Sequence, residues 1–252
     1  MSPNNPISLE GKSILITGAS SGIGRATAIA CAKMGARVSI TGRNEDRLNE
    51  TFKSLSGEGH TVFLADLENR DEIISLAMEV PQLTGVVNCA GTNTRTILKM
   101  VVESEIDHIM NVNFKSPLLL QQSLLKKKKI QKGSSIVFVA SRAPFAPAVG
   151  NGIYAASKGA LIAYSKVLGL ELAERNIRVN CICPAVVWTE LTKAESESGG
   201  IDYTLVEQGY PLKRFGQPED IANLAIYLLS DASSWMTGSC IDITGGGEFT
   251  LK

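Results

Sequence analysis

The sequence predicts an α/β architecture: one doubly wound domain on a seven-stranded parallel sheet, with helices on both faces. Three observations carry that expectation. Apolar runs alternate with amphipathic stretches along the chain. Strands with helices between them make parallel sheets covered on both sides. A glycine-rich turn joins the first run to the first amphipathic stretch, and no linker, internal repeat or low-complexity tract divides the 252 residues. That length suffices for one sizeable core.

The elements follow in order. Residues 13–17 read as a strand and 22–34 as a helix. Then come a strand at 37–41, a helix at 45–55 and a strand at 61–65. A short helix at 71–79 precedes a strand at 85–88. A long helix over 103–129 is expected to break or kink near Pro117, because proline lacks the amide proton a helix interior needs. Residues 135–140 read as a strand, 154–174 as a helix and 178–182 as a strand. Pro218 suits the first turn of a helix at 218–229, and 239–243 is the last strand. The stretch 188–217 reads as one long irregular segment with Gly199-Gly200, many polar residues and the aromatics Trp188, Tyr203 and Tyr210. It is expected to be a lid, since it follows a strand end, where open α/β sheets bind ligands.

Composition narrows the class. Hydrophobic residues make up 44% and the formal charge is zero, which fits a soluble globular protein and argues against nucleic acid or a membrane surface as partner. The one basic run, Lys126-Lys127-Lys128-Lys129, falls at a helix end, where cations suit the dipole. The first twelve residues lack an apolar signal region, and no apolar run reaches the ~18 residues of a membrane span. Five cysteines without a C-x-x-C pair point to reduced thiols and a cytoplasmic protein. His60 and His108 have no ligand-like spacing, so no metal site is expected.

Gly18, Gly22 and Gly24 sit between the first strand and first helix. Glycines let the backbone approach a pyrophosphate, and the free amides of a helix start attract anions. The spacing is Gly-x-x-x-Gly-x-Gly, which fits a dinucleotide cradle or merely a glycine-rich turn. The same stretch, Gly18-Ala19-Ser20-Ser21-Gly22, matches a hydrolase nucleophile elbow, but both histidines come too early to serve it. The second strand ends in Gly42-Arg43, where NAD sites usually carry a carboxylate. A guanidinium pairs with a 2′-phosphate, so NADP(H) is favoured over NAD unless Arg43 is only a surface cation.

Tyr154 and Lys158 lie four residues apart, hence on one helix face, thirteen residues after Ser141. Reducing a carbonyl requires a proton donor. An ammonium ~4 Å from a phenol, at an effective dielectric of ~20, interacts by ~4 kcal/mol. That is roughly three pKa units and brings tyrosine toward neutrality. Ser141 would orient the substrate oxygen. Tyr-x-x-x-Lys alone is a weak signal, equally readable as a cation over an aromatic face; Ser141 and the phosphate loop lift it.

In this order the motifs resemble the short-chain dehydrogenase/reductase family, across about residues 9–247, and imply its Rossmann fold and NAD(P) chemistry. Thr17 to Gly24, including Ser20, Ser21 and Ile23, resembles the cofactor loop. Asp66-Leu67 resembles the adenine-contacting pair, and Asn88-Cys89-Ala90-Gly91 resembles Asn-Asn-Ala-Gly. The resemblance implies that Asn113 helps hold a water near the lysine and completes a tetrad with Ser141, Tyr154 and Lys158. Pro184, Val187 and Thr189 match the segment contacting the nicotinamide amide. Cys89 and Ala185 depart from the pattern, as does Gly245-Gly246 where the family usually has Asp.

Length and the 154–180 stretch look most like 3-oxoacyl-[acyl-carrier-protein] reductases. Arg175 and Lys132 fall near positions where those enzymes contact acyl carrier protein, although Arg175 also suits a helix end. The resemblance further implies a homotetramer or homodimer, with residues 103–129 and 154–174 across a two-fold axis. The apolar run 143–149 suggests an apolar or mixed substrate flank, and Arg95 is a cation that could face the cleft. The leading expectation is a carbonyl reductase acting on a small-molecule carbonyl or alcohol. An alcohol, sugar or hydroxysteroid dehydrogenase and a dinucleotide-sensing regulator are the alternatives. A sensor needs the phosphate loop but not the proton chemistry.

Overall fold

The structure, a computed structural model, describes residues 5–198 and 203–247. The chain runs β1 (Ser13–Thr17), α1 (Gly22–Lys33), β2 (Arg37–Gly42), α2 (Glu45–Lys53), β3 (Thr61–Leu64), α3 (Arg70–Glu79) and β4 (Leu83–Asn88). It continues through α4 (Glu103–Met110), a π-helical turn (Asn111–Lys115), α5 (Ser116–Lys126), β5 (Ile130–Val139), α6 (Gly152–Glu171) and β6 (Arg178–Pro184). Then follow α7 (Glu190–Ser198), α8 (Tyr203–Gly209), α9 (Pro218–Leu229) and β7 (Cys240–Ile243).

Among the described residues the strands form one parallel sheet in the order β3-β2-β1-β4-β5-β6-β7. Alternation sorts the side chains. Leu15, Val86, Phe138 and Cys181 pack with α3, α5 and α6, whereas Ile14, Ile16, Val137 and Ile182 pack with α1 and α9. Both faces are therefore covered, as expected. The chain leaves β1 toward β2 on one side and β4 on the other. That reversal opens a crevice at the carboxyl ends of β1 and β4, where such sheets bind ligands.

The expected break near Pro117 is present, and the long helix and the fifth strand differ from expectation in their bounds. The long helix breaks just before Pro117, at the π turn, and resumes with Pro117 in the first turn of α5. Proline removes the α-helical donor to the carbonyl four residues back, that of Asn113. The helix also stops at Lys126, because Lys128 takes a left-handed conformation at φ 55° and Lys129 Nζ donates to the Val80 carbonyl at 2.7 Å. Strand β5 starts earlier than expected, with a register shift opposite Leu83 and Gly85.

The described part of 188–217 is not irregular throughout. It folds into α7 and α8, while Gly199-Gly200 lies outside the described residues. Trp188, Tyr203 and Tyr210 surround the buried Phe215, with centroids 5.2, 5.9 and 5.0 Å from it. Tyr203 and Val206 of α8 belong to this small cluster. The polar surface of α7 hides its period in the sequence. Among the described residues, no helix is long and apolar enough to cross a membrane.

Candidate active site

A cleft of about 640 Å³ lies over the carboxyl ends of the central strands. Gly18, Ser20, Ser21, Gly22, Ile23 and Gly24 all line it. Thr17 Oγ1 accepts from the amides of Cys89 and Ala90, each at 3.1 Å, and so ties the β1 loop to the β4 loop. Gly18 sits at φ 64°, and a Cβ there would lie 2.8 Å from Ala90 Cα. A Cβ on Gly24 would overlap the Gly18 carbonyl. Ser21 is the N-cap of α1, yet its side chain caps nothing. The first amides of α1 therefore meet the cleft without a side-chain acceptor, as a site for a dinucleotide phosphate requires. The close backbone packing that only glycine permits fits the same group.

At the far end, Arg43, Asp66 and Leu67 line the cleft. Arg43 Nη1 lies 3.4 Å from Glu68 Oε2 and its side chain is 64% exposed, leaving the guanidinium open to exchange partners. Asp66 Oδ1 accepts from the Glu68 amide at 3.0 Å, which fixes the turn after β3. Sequence reasoning missed two flanking groups. Arg47 Nη1 meets Glu190 Oε2 at 2.8 Å, bridging α2 and α7, and His108 Nδ1 lies 3.0 Å from Glu68 Oε1. Arg47 stands four residues beyond Arg43 on the following helix, which was the available signal.

Ser141, Tyr154 and Lys158 all line the cleft. Ser141 follows β5, and its Oγ accepts from the Ala143 amide at 3.1 Å. Tyr154 and Lys158 occupy successive turns of α6, with Nζ 5.9 Å from the phenol ring centroid. Lys158 is only 5% exposed, and Nζ donates to the Val139 carbonyl at 3.0 Å. Burial lowers its pKa to about 8, partly opposed by the fields of Cys89, Cys181 and Cys183. Burial likewise pushes the Cys89 thiol up to about 12.

Ala90 and Gly91 line the cleft; Asn88 and Asn113 do not. The Asn88 side chain donates to the Val137 carbonyl at 3.3 Å and accepts from Gln121 Nε2 at 3.0 Å. It anchors β4 from below the cleft. Asn113 Nδ2 donates to Ser157 Oγ and the Thr92 carbonyl, and its Oδ1 accepts from the Thr92 amide. The π turn thereby clamps the β4 loop to α6. A Cβ on Gly91 would lie 3.2 Å from Asn113 Oδ1 and 3.3 Å from Lys158 Nζ, so glycine lets all three approach.

Pro184, Val187 and Thr189 line the wall beyond β6. The Pro184 carbonyl accepts from the Arg142 amide at 2.9 Å, and Thr189 faces Gly22 across the cleft. The apolar flank is partly present: Ala143, Ala146 and Ala148 line the cleft, while Phe145 and Val149 are exposed outside it. Arg95 does not line it; its Nε donates to the Val149 carbonyl at 3.3 Å. Beside Ser141 the cleft is instead lined by Arg142, held by Asp242 at 2.7 Å and stacked 5.1 Å over the Phe145 ring. Its place directly after Ser141 was the signal. No group of His, Cys, Asp and Glu among the described residues is arranged to hold a metal.

A crevice at the strand reversal, a glycine cradle and a serine, tyrosine and lysine in one cleft define an oxidoreductase of the nicotinamide-using kind. Comparison with known proteins agrees. Residues 18–248 match the family described as enoyl-(acyl carrier protein) reductase. The chain belongs to the short-chain dehydrogenase/reductase family and is an enzyme acting on CH–OH and C=O groups.

Among its relatives are 3-oxoacyl-[acyl-carrier-protein] reductases. That of Rickettsia felis is 33% identical, with 95% of this chain and 98% of the relative covered. That of Thermotoga maritima is 36% identical, with 94% and 98% covered. An L-xylulose reductase of Caenorhabditis elegans is 32% identical, with 93% and 95% covered. Among solved structures, a variant of actinorhodin polyketide ketoreductase with NADPH superposes with a TM-score of 0.86 at 26% identity, covering 93% of this chain and 96% of that one.

Proposed function

We propose that this enzyme reduces the ketone of a 3-oxoacyl thioester, carried on acyl carrier protein, with NADPH as reductant. The observation that carries this reading is the meeting of Ser141, Tyr154 and Lys158 in one cleft with the α1 phosphate cradle. Support for the substrate comes from the 3-oxoacyl reductases among its relatives and from the apolar flank of Ala143, Ala146 and Ala148. Support for NADP over NAD comes from Arg43, with no carboxylate at Gly42. The cofactor supplies or receives a hydride at the substrate carbon.

The chain's own residues do the rest. Backbone amides at the start of α1 hold the pyrophosphate, with Ser20, Ser21 and Ile23 shaping the cradle. Arg43 exchanges Glu68 for the 2′-phosphate, and Asp66 and Leu67 wall the adenine. Ala90 and Gly91 form the floor, while Pro184, Val187 and Thr189 bound the nicotinamide end. Ser141 Oγ donates to the substrate oxygen and aligns it, and the Tyr154 hydroxyl delivers the proton there during reduction. Lys158 stabilises the phenolate that remains. Asn113 positions the loop and helix around Lys158 rather than touching the substrate.

The stretch 188–217 serves as a lid on the single domain, since Leu191, Tyr203, Val206 and Tyr210 all border the cleft. The cytoplasm suits five free cysteines. Arg175 spends one donor on the Ile130 carbonyl at 2.6 Å, so helix-end packing accounts for it at least as well as carrier contact. A second reading, a keto-sugar reductase, is favoured by the likeness to L-xylulose reductase. The test follows NADPH absorbance with a 3-oxoacyl thioester, a keto-sugar and a steroid ketone. The thioester should give the highest kcat/KM; a clear preference for the keto-sugar would replace this reading with the second.

A further inference from the structure

Three thiols at one edge of the sheet take no part in the chemistry above. Cys181 and Cys183 lie two residues apart on β6 and face the α6 side. Cys240 lies on β7, the edge strand, in register with Cys181. The Cys181 Sγ donates to Ser165 Oγ at 3.0 Å. The two β6 cysteines are buried, whereas Cys240 is half-buried, the most exposed residue of the three. Registered residues on neighbouring strands sit ~4.8 Å apart, inside the ~4.4–6.8 Å span a disulfide bridges. Cys183 stands two residues off that register, so Cys181 is the better-placed partner.

We propose that Cys240 is a peroxide-reactive thiol and that Cys181 resolves it as a disulfide joining the last two strands. The neighbouring Cys181 and Cys183 thiols hold the Cys240 thiol below its ordinary pKa, with Lys166 adding to the effect. The neighbouring Cys240 and burial keep Cys181 protonated. The Cys240 thiolate attacks a hydroperoxide oxygen and the O–O bond breaks. The departing hydroxide takes up the proton Cys240 had released and leaves as water, with Cys240 now a sulfenic acid. The Cys181 sulfur then attacks the Cys240 sulfur, the S–O bond breaks, and the leaving hydroxide takes the Cys181 proton. Two thiols are oxidised and one peroxide is reduced to two waters. The bond would tether β7 two residues from Asp242, the partner of Arg142 in the cleft.

The test uses the full chain, reduced with a dithiol, cleared of it, and treated with hydrogen peroxide at near-stoichiometric dose. Intact mass should fall by two hydrogens per chain and recover with dithiothreitol. Non-reducing digestion should yield a Cys181–Cys240 cross-linked peptide, with fragmentation between Cys181 and Cys183 assigning the partner. Cys240→Ser should form no such bond, and Cys31→Ser should behave as the parent. Limited maleimide labelling of the unaltered chain should reach Cys240 before the other two, which tests the idea even if the serine variant folds poorly. Cys240 appearing only as sulfinic or sulfonic acid, a disulfide elsewhere or between chains, or thiols inert to peroxide would each overturn the proposal. None of these readouts depends on the substrate or cofactor.

Discussion

Lys158 is nearly sealed from water, yet it borders a polar cleft, and its lowered pKa follows from that position. Its ammonium is held at neutral pH but is lost as pH rises through about 8. Reduction by the Tyr154 donor should weaken there, so kcat/KM should show an alkaline limb near pH 8. Lys158→Arg, which stays charged, should move that limb upward; a limb unmoved by the change would place the titration elsewhere. The same shift has a stability consequence of defined sign. The folded lysine releases its proton before the unfolded one does, so its burial cost is fully present below about pH 8 and is relieved as pH rises further. Tyr154→Phe keeps the ring and removes the proton, and turnover should fall by about 10²–10⁴-fold, the usual share of general acid catalysis. NADPH should still bind, as a fluorescence titration can check; wild-type turnover in this variant would sink the mechanism. Arg43→Ala should weaken NADPH more than NADH by roughly ten- to hundred-fold, the range for a charged hydrogen bond. Equal losses would mean that Glu68, not a phosphate, is the lasting partner of Arg43.

At the scale of elements, the phosphate cradle and the π turn position everything else. Gly18→Ala would place a β-carbon at φ 64° against Ala90, and a left-handed non-glycine residue alone costs roughly 1–2 kcal/mol. We expect NADPH and NADH affinities to fall together, since both share the pyrophosphate, in contrast to Arg43→Ala; titrating both cofactors separates the two cases. The cradle was legible in sequence because glycine spacing directly encodes backbone approach. The central strands were legible because their apolar runs are buried on both faces, as in Ile14-Leu15-Ile16. The π turn was half legible: Pro117 announced a break but not its five-residue span. Helix α8 was not, because Tyr203 packs on Phe215, which lies beyond the helix in sequence. The direction of the Asn88 amide, down to Gln121, was not legible, because a motif gives identity without side-chain direction. Arg142 escaped notice because its inward course depends on Asp242, one hundred residues away.

For the whole molecule, the exposed apolar surface bears on assembly. Helices α4 and α6 pack together on one face of the sheet. Their outer surfaces carry Ile106 on α4 and Val167 and Leu170 on α6, with Leu98, Met100 and Val102 just before α4. Leu98 and Leu170 are 89% and 77% exposed, too open to contribute to the core of this chain. Scattered apolar residues need no explanation, but a concentration of them on two packed helices marks a surface suited to another protein. A second copy is the simplest occupant, because a two-fold axis lets one patch cover itself. We expect a homodimer or homotetramer, and light scattering at micromolar concentration should give at least twice the 26.9 kDa chain mass. Leu170→Glu provides the sharper test. At so exposed a site the change should alter chain stability by no more than about 0.5 kcal/mol, whereas charge buried in an interface is costly. The assembly should therefore dissociate or shrink while the far-ultraviolet dichroism stays unchanged. A parent chain that is monomeric at these concentrations would remove the argument for assembly, and a Leu170→Glu variant of full parental mass would move the interface off α6.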